Sequence, residues 1–133
     1  MAAYLKIYGV MLAAFLALDM VWLGLVARGF YRERLGYLLA ETPNWAAAGA
    51  FYLLFVAALL VFVVAPGLRG DSVARTVLLG AFFGLVTYAT YDLTNLATVR
   101  DWPVVVTVVD MIWGTFLSTA VCWAGLVMGR WLR

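Results

Sequence analysis

The chain has 133 residues, of which 67% are hydrophobic and 12% charged; nine basic and seven acidic side chains leave a formal charge of +2. A soluble domain carries about a quarter charged residues and has too little interior to hide this much apolar side chain, so with a mean hydropathy of +1.02 a water-soluble fold is excluded and the lipid bilayer is the solvent. There is no basic tract of the kind that holds nucleic acid; the single Cys122 excludes an internal disulfide or a cysteine metal cluster, and the absence of His removes the commonest metal ligand and general base. No metal, cofactor or nucleic-acid partner is therefore expected.

A spanning helix needs roughly 20 mostly apolar residues, and four stretches supply them within one transmembrane domain covering 1–133. The first is predicted from about Tyr4 to Ala27. Lys6 followed by an apolar run resembles a signal peptide, but Asp19 and Trp22 interrupt the run and Leu25-Val26-Ala27 makes a poor cleavage site, so a retained helix is expected. The segment at about 28–43 is too polar to span. Its Tyr31, Leu35, Leu38 and Leu39 recur at helical spacing while Arg32, Glu33 and Glu41 face elsewhere, which predicts a short amphipathic helix in the membrane interface, with a plain connecting loop as the alternative.

The second span is predicted from about Trp45 to Ala65. Asn44 can cap it, Pro43 blocks backward extension, and Pro66-Gly67 is expected to stop it. The third runs from about Val73 to Ala97, with Asp71 or Ser72 as the cap. The fourth runs from about Trp102 to Met128, with Asp101 as the cap and Pro103 in the first turn. Trp45 and Trp102 are expected at one membrane interface, Tyr4 and Trp131 at the other. With four spans both termini share a side, which carries Lys6, Arg69, Arg75, Arg130 and Arg133 against Arg28, Arg32, Arg34 and Arg100 opposite; the positive-inside rule then favours cytoplasmic termini by a narrow margin.

Three acids lie where none is expected. Asp19, Asp92 and Asp110 interrupt apolar helices, at a cost of at least about 2.5 kcal/mol each if charged at the bilayer centre. Counted from the helix ends, all three sit roughly 12–14 Å below the face that bears Arg28 and Arg100. Tyr52, the only polar mid-helix side chain of the second span, falls at the same level. Asp19 and Trp22 are three apart, as are Asp110 and Trp113, and Asp-Met-Val-Trp at 19–22 recurs as Asp-Met-Ile-Trp at 110–113. In the third span Tyr88, Tyr91, Asp92 and Asn95 form a polar stripe, and Gly80 with Gly84 forms a small-residue pattern suited to close helix contact, as does Gly125 with Gly129.

Carboxylates held close together in a low-dielectric bundle share protons, which suits a proton relay or proton-coupled transport. Carboxylates beside Trp and Tyr also suit an organic cation, through charge pairing and cation–π contact. The plainer alternative is structural: each Asp accepts hydrogen bonds from an indole, a phenol or a Thr and locks the bundle, or an Arg such as Arg28 or Arg100 reaches inward to neutralise one acid. The candidate ligand or proton residues are Asp19, Trp22, Tyr52, Tyr88, Tyr91, Asp92, Asn95, Asp110 and Trp113. Arg28, Arg32, Arg34 and Arg100 are candidates for lipid headgroups. Cys122 lies in the opposite half of the bilayer and is expected to be a packing residue. Catalysis is disfavoured, because no Ser or Cys stands beside a plausible base.

Several stretches carry a resemblance: Asp19-Met-Val-Trp-Leu-Gly, Gly29-Phe-Tyr-Arg-Glu-Arg-Leu-Gly, Pro43-Asn-Trp, Tyr88-Ala-Thr-Tyr-Asp-Leu-Thr-Asn-Leu-Ala-Thr, Trp102-Pro and Asp110-Met-Ile-Trp-Gly. Together they resemble, over nearly the whole chain, a family of small bacterial membrane proteins known as domain of unknown function 2177. The resemblance implies a multi-pass protein of the bacterial inner membrane and supplies no activity, beyond a pointer to membrane-lipid metabolism. The expectation is thus an all-α, four-span bundle that binds or transports a proton, cation or small molecule. An accessory subunit of a larger membrane complex is the alternative, and a homodimer is the expected form if transport is involved.

Overall fold

In lipid every backbone polar group must be satisfied within the chain, so long apolar runs become helices. The computed structural model describes residues 1–70 and 72–133, and those residues form helices without a strand among them. We number five: α1 (Ala2–Val26), α2 (Arg28–Leu35), α3 (Trp45–Arg69), α4 (Val73–Thr98) and α5 (Val104–Trp131). The four long ones have 25, 25, 26 and 28 residues and peak mean hydropathies of 2.1, 2.7, 1.5 and 1.8. At ~1.5 Å per residue each is long enough to cross a bilayer. In α1 and α4 only 17% of the most apolar stretch is buried against the rest of the chain; an apolar surface left so bare is at home in hydrocarbon, not in water.

Helix α5 is the centre of the bundle, packed along α4 and α1, while α3 lies against α1. Small residues set these distances. A Cβ on Gly84 would strike the Gly114 carbonyl and the Ser118 side chain, one on Gly80 would lie 2.9 Å from Cys122 Sγ, and one on Gly125 would lie 2.7 Å from Met11 Sδ. The glycine pairs are therefore the faces across which α4 and α1 meet α5, and buried Cys122 fills space beside Gly80. The main apolar core, including Met11, Phe15, Val56, Leu59, Leu117 and Leu126, begins beneath the level of the acids and extends toward the termini. A smaller one, Leu35, Trp102 and Val106, seats α2 over the opposite end of α4 and α5.

Local signals explain most of the boundaries. Asn44 Oδ1 accepts from Ala47 N at 3.0 Å and Ser72 Oγ from Arg75 N at 3.1 Å, so both act as caps. Asp71, the other cap considered for the third span, lies outside the described residues. Four expectations need correction. Pro66 does not stop α3, which runs on to Arg69. The turn before it, Leu60–Val64, is a π-helix in which the Ala65 N–H bonds to Leu60 O, and a widened turn relieves the clash that a proline ring makes with the preceding carbonyl. Asp101 does not cap α5; it sits in the left-handed region at φ 57, which Asp tolerates better than most residues, and Pro103 precedes the helix instead. Trp102 is not a free interfacial anchor: it is 9% exposed and its Nε1 donates to Thr107 Oγ1 at 3.1 Å. Finally, α2 ends at Leu35, about halfway along the expected segment of 28–43. Gly36 follows, a weak helix former, and Leu38 and Leu39 are half exposed and lie outside the helix.

Candidate functional site

Seven of the nine candidate side chains line one cavity of about 720 Å³: Asp19, Trp22, Tyr52, Tyr88, Tyr91, Asp110 and Trp113. Asp92 and Asn95 do not reach it. Arg28 and Arg32 line it as well, while Arg34 and Arg100 do not.

The repeated Asp-Met-x-Trp motifs build the floor by exchange. They lie on α1 and α5, which run in opposite directions side by side. Trp113 Nε1, from the second motif, donates to Asp19 Oδ1 of the first at 3.3 Å. Trp22 Nε1, from the first, donates at 3.1 Å to the Tyr31 hydroxyl, which in turn donates to Asp110 of the second. The two indoles stack between these bonds, 4.4 Å apart and 7° from parallel. Each tryptophan therefore serves the other helix's acid, one directly and one through Tyr31. The remaining Asp19 oxygen, Oδ2, accepts from Tyr52 of α3 at 3.1 Å. One turn beyond Asp110, Gly114 has no side chain, and the Tyr88 ring lies flat against it where a Cβ would stand; this holds the Tyr88 ring at the cavity wall.

Tyr31 was not among the candidates. Its spacing placed it on the apolar face of α2, and a phenol counts as apolar in such a pattern although it carries a polar tip. It ties α2 to both motifs. Burial, and then its bond to the Asp110 carboxylate, push the Tyr31 hydroxyl above the ordinary tyrosine range, so it remains a donor throughout the neutral range.

Asp92 is fully buried. Among the described residues no hydrogen-bond partner reaches either of its carboxylate oxygens. Asp92 thus stands outside the cavity lining, on the same helix as Tyr88 and Tyr91, which do line it. The Asp92 backbone carbonyl is engaged separately by Thr107 Oγ1 at 3.4 Å. The hydrogen bonds to Asp19 and Asp110 come from Tyr31, Tyr52 and Trp113, and among the described residues no arginine donates to any of the three acids. The expectation that an Arg reaches inward to neutralise an acid is therefore not met, although Arg28 and Arg32 share the cavity.

The cavity lies where α3 and α4 part. Helix α3 approaches α4 and α5 along Leu60–Arg69, but over Trp45–Leu59 its backbone stays largely apart from α4. The cavity occupies that gap, with Phe51 and Phe55 on one side and Thr87 and Tyr91 on the other. Phe55 narrows it, with ring centres 5.9 Å from Phe83 and 6.3 Å from Tyr88. Beyond Phe55 a second, mostly apolar hollow of about 230 Å³ runs between α3 and α4, lined by Phe62, Leu79, Phe82 and Val86 and sharing Thr87 with the first. Among the described residues no cluster of acidic and sulfur side chains is arranged to hold a metal ion.

Comparison with known proteins places residues 4–127 in the family described as "Predicted membrane protein (DUF2177)", and the chain belongs to it. No curated protein and no solved structure matches the chain.

Proposed function

We propose that this member of the domain of unknown function 2177 family binds a small ligand through a cationic centre, taken from the bilayer into the cavity beneath α2. One observation carries the proposal: Asp19 and Asp110 face a common space walled by Trp22, Trp113, Tyr52 and Tyr88. A cation there gains carboxylate attraction in a low dielectric and the faces of several rings, where a desolvated cation–π contact is worth about 2 kcal/mol. We read Asp92, buried without a hydrogen-bond partner among the described residues, as an acid that holds a proton and shares it with Asp110. A cation arriving beside Asp110 stabilises its charged form and releases that proton, which couples ligand binding to proton movement. The protein acts as a binding or transport device; among the described residues no nucleophile stands beside a base, which argues against catalysis.

Around this core we place the chain in a bacterial inner membrane with cytoplasmic termini and α2 lying in the opposite interface. Four helices are few for alternating access, so transport would require a homodimer or a larger membrane complex; its immediate partner is the lipid bilayer. The test is thermal unfolding of the purified protein in mild detergent with octyltrimethylammonium. At 100 times its dissociation constant a ligand adds about 2.7 kcal/mol to stability, so the parent melts higher while Asp19→Asn and Asp110→Asn lose most of the rise. A parent indifferent to this cation would overturn the proposal.

A further inference from the structure

We propose that the ligand is a zwitterionic amphiphile whose hydrocarbon chain lies in the hollow between α3 and α4, whose cationic centre sits at Asp19 and Asp110, and whose acidic group meets Arg28 and Arg32. This rests on the cation-binding function above and adds the other two parts of the ligand. The first support is adjacency. The polar cavity and the apolar hollow share Thr87, and the hollow extends from there to Leu79 along α4. Eight residues of helix span ~12 Å, and the walls contributed by Phe62, Phe82 and Val86 offer a chain nothing but hydrocarbon.

The second support is charge. Opposite charges face one space without neutralising each other, since Asp19 and Asp110 take their hydrogen bonds from Tyr and Trp and no arginine is among their partners within the described residues. A simple cation would meet the acids but be repelled by two guanidiniums, and a simple anion the reverse. A dipolar ligand satisfies both ends, and a guanidinium pairs well with a planar or tetrahedral oxyanion.

The third support is order. Along the membrane normal the hollow comes first, then the acids, then Arg28 and Arg32 beyond the end of α1. Arg28 follows the end of α1, nine residues on from Asp19, and both arginine side chains line the cavity. The fitting sequence is therefore chain, cation, anion.

Three octyl probes below their micelle-forming concentrations separate these elements, with binding to the purified full chain followed by tryptophan fluorescence. They are octyldimethylammonio-propanesulfonate (chain, cation, anion), octylphosphocholine (chain, anion, cation) and octyltrimethylammonium (chain, cation). The propanesulfonate is expected to bind about tenfold or more tighter than the trimethylammonium probe, the gain typical of one charge-assisted contact, and tighter than octylphosphocholine. In the Arg28→Gln, Arg32→Gln double variant it falls to the trimethylammonium level, and the two Arg→Lys changes restore part of the difference. Both arginines are exposed, and far-UV circular dichroism checks that the variants keep their helices. If the propanesulfonate and trimethylammonium probes bind alike and the arginine variant changes neither, the inference is overturned while the cation site stands. Tighter binding of octylphosphocholine overturns it through the order of charges. If no probe binds the parent, the cation-binding function falls with it.

Discussion

Replacing Tyr31 by Phe removes one oxygen and keeps the ring that packs beside Leu35 and Trp102. That oxygen donates to the Asp110 carboxylate and accepts from Trp22 Nε1 at 3.1 Å. A hydrogen bond to a charged group contributes about 1.5–3 kcal/mol, and stranding an indole N–H costs about 1 kcal/mol more. Tyr31 is only partly buried, so water recovers some of this and the net loss expected is about 2–3 kcal/mol. Denaturant titration in mild detergent, followed by tryptophan fluorescence, measures it. Because α2 is held to the bundle chiefly through this hydroxyl, the small Leu35 cluster and the Tyr37 hydroxyl on the Asp101 carbonyl at 2.7 Å, amide exchange in Arg28–Leu35 should quicken more than in α5. The loss should also depend on pH. The folded-state pKa of Tyr31 is raised above its ordinary value of 10.0, so the folded protein keeps a proton that the unfolded chain gives up. The resulting stability is fully present below about pH 10 and is lost as pH rises beyond it; the parent should weaken more steeply above pH 10 than Tyr31→Phe does. A variant within about 0.5 kcal/mol of the parent, with α2 exchanging at an unchanged rate, would refute the role given to this hydroxyl.

Three further outcomes follow from the same geometry. The parallel Trp22–Trp113 pair should give an exciton couplet in circular dichroism, and either Trp→Phe change should abolish it; a couplet that survives both means the indoles are not stacked. Gly84→Val should loosen α4 from α5, since even a Cβ there meets the Gly114 carbonyl; overpacking of this kind costs about 1–3 kcal/mol, and an equally stable variant would show that the contact yields. Asp92→Asn supplies an N–H in place of the shared proton, so the fold should persist within about 1 kcal/mol while the infrared carbonyl stretch of a protonated carboxyl group weakens. An unaltered infrared band would place the proton elsewhere.

Much of this arrangement could be read from the sequence, for physical reasons. Hydropathy fixes which segments cross a bilayer, and counting along helices of constant rise puts Asp19, Tyr52 and Asp110 at one depth. Counting does not say who partners whom. Asp19 and Trp22 do share a face by spacing, but the Trp22 indole turns to Tyr31 and Asp19 is served by Trp113 from the neighbouring helix. Asn95 and Asp92 shared a stripe with Tyr88 and Tyr91, yet a rotation of a few tens of degrees about the helix axis decides which of them faces the cavity, and only packing against α5 sets that rotation. The cavity itself comes from the divergence of α3 from α4 over Trp45–Leu59, a relation between two axes that no periodicity within either helix encodes. Pro66 was misleading because the π turn that accommodates it has no sequence signature as plain as the proline itself.

The most direct test is to locate a cation. The protein crystallised with octyltrimethylarsonium, whose arsenic scatters anomalously, should show one strong peak between the Asp19 and Asp110 carboxylates, bounded by the Trp22, Trp113 and Tyr88 rings, and none in Asp110→Asn. A parent structure with no arsenic peak there, or with α3 closed against α4 and the space between the acids filled by side chains, would contradict the proposal that this cavity holds a cationic ligand.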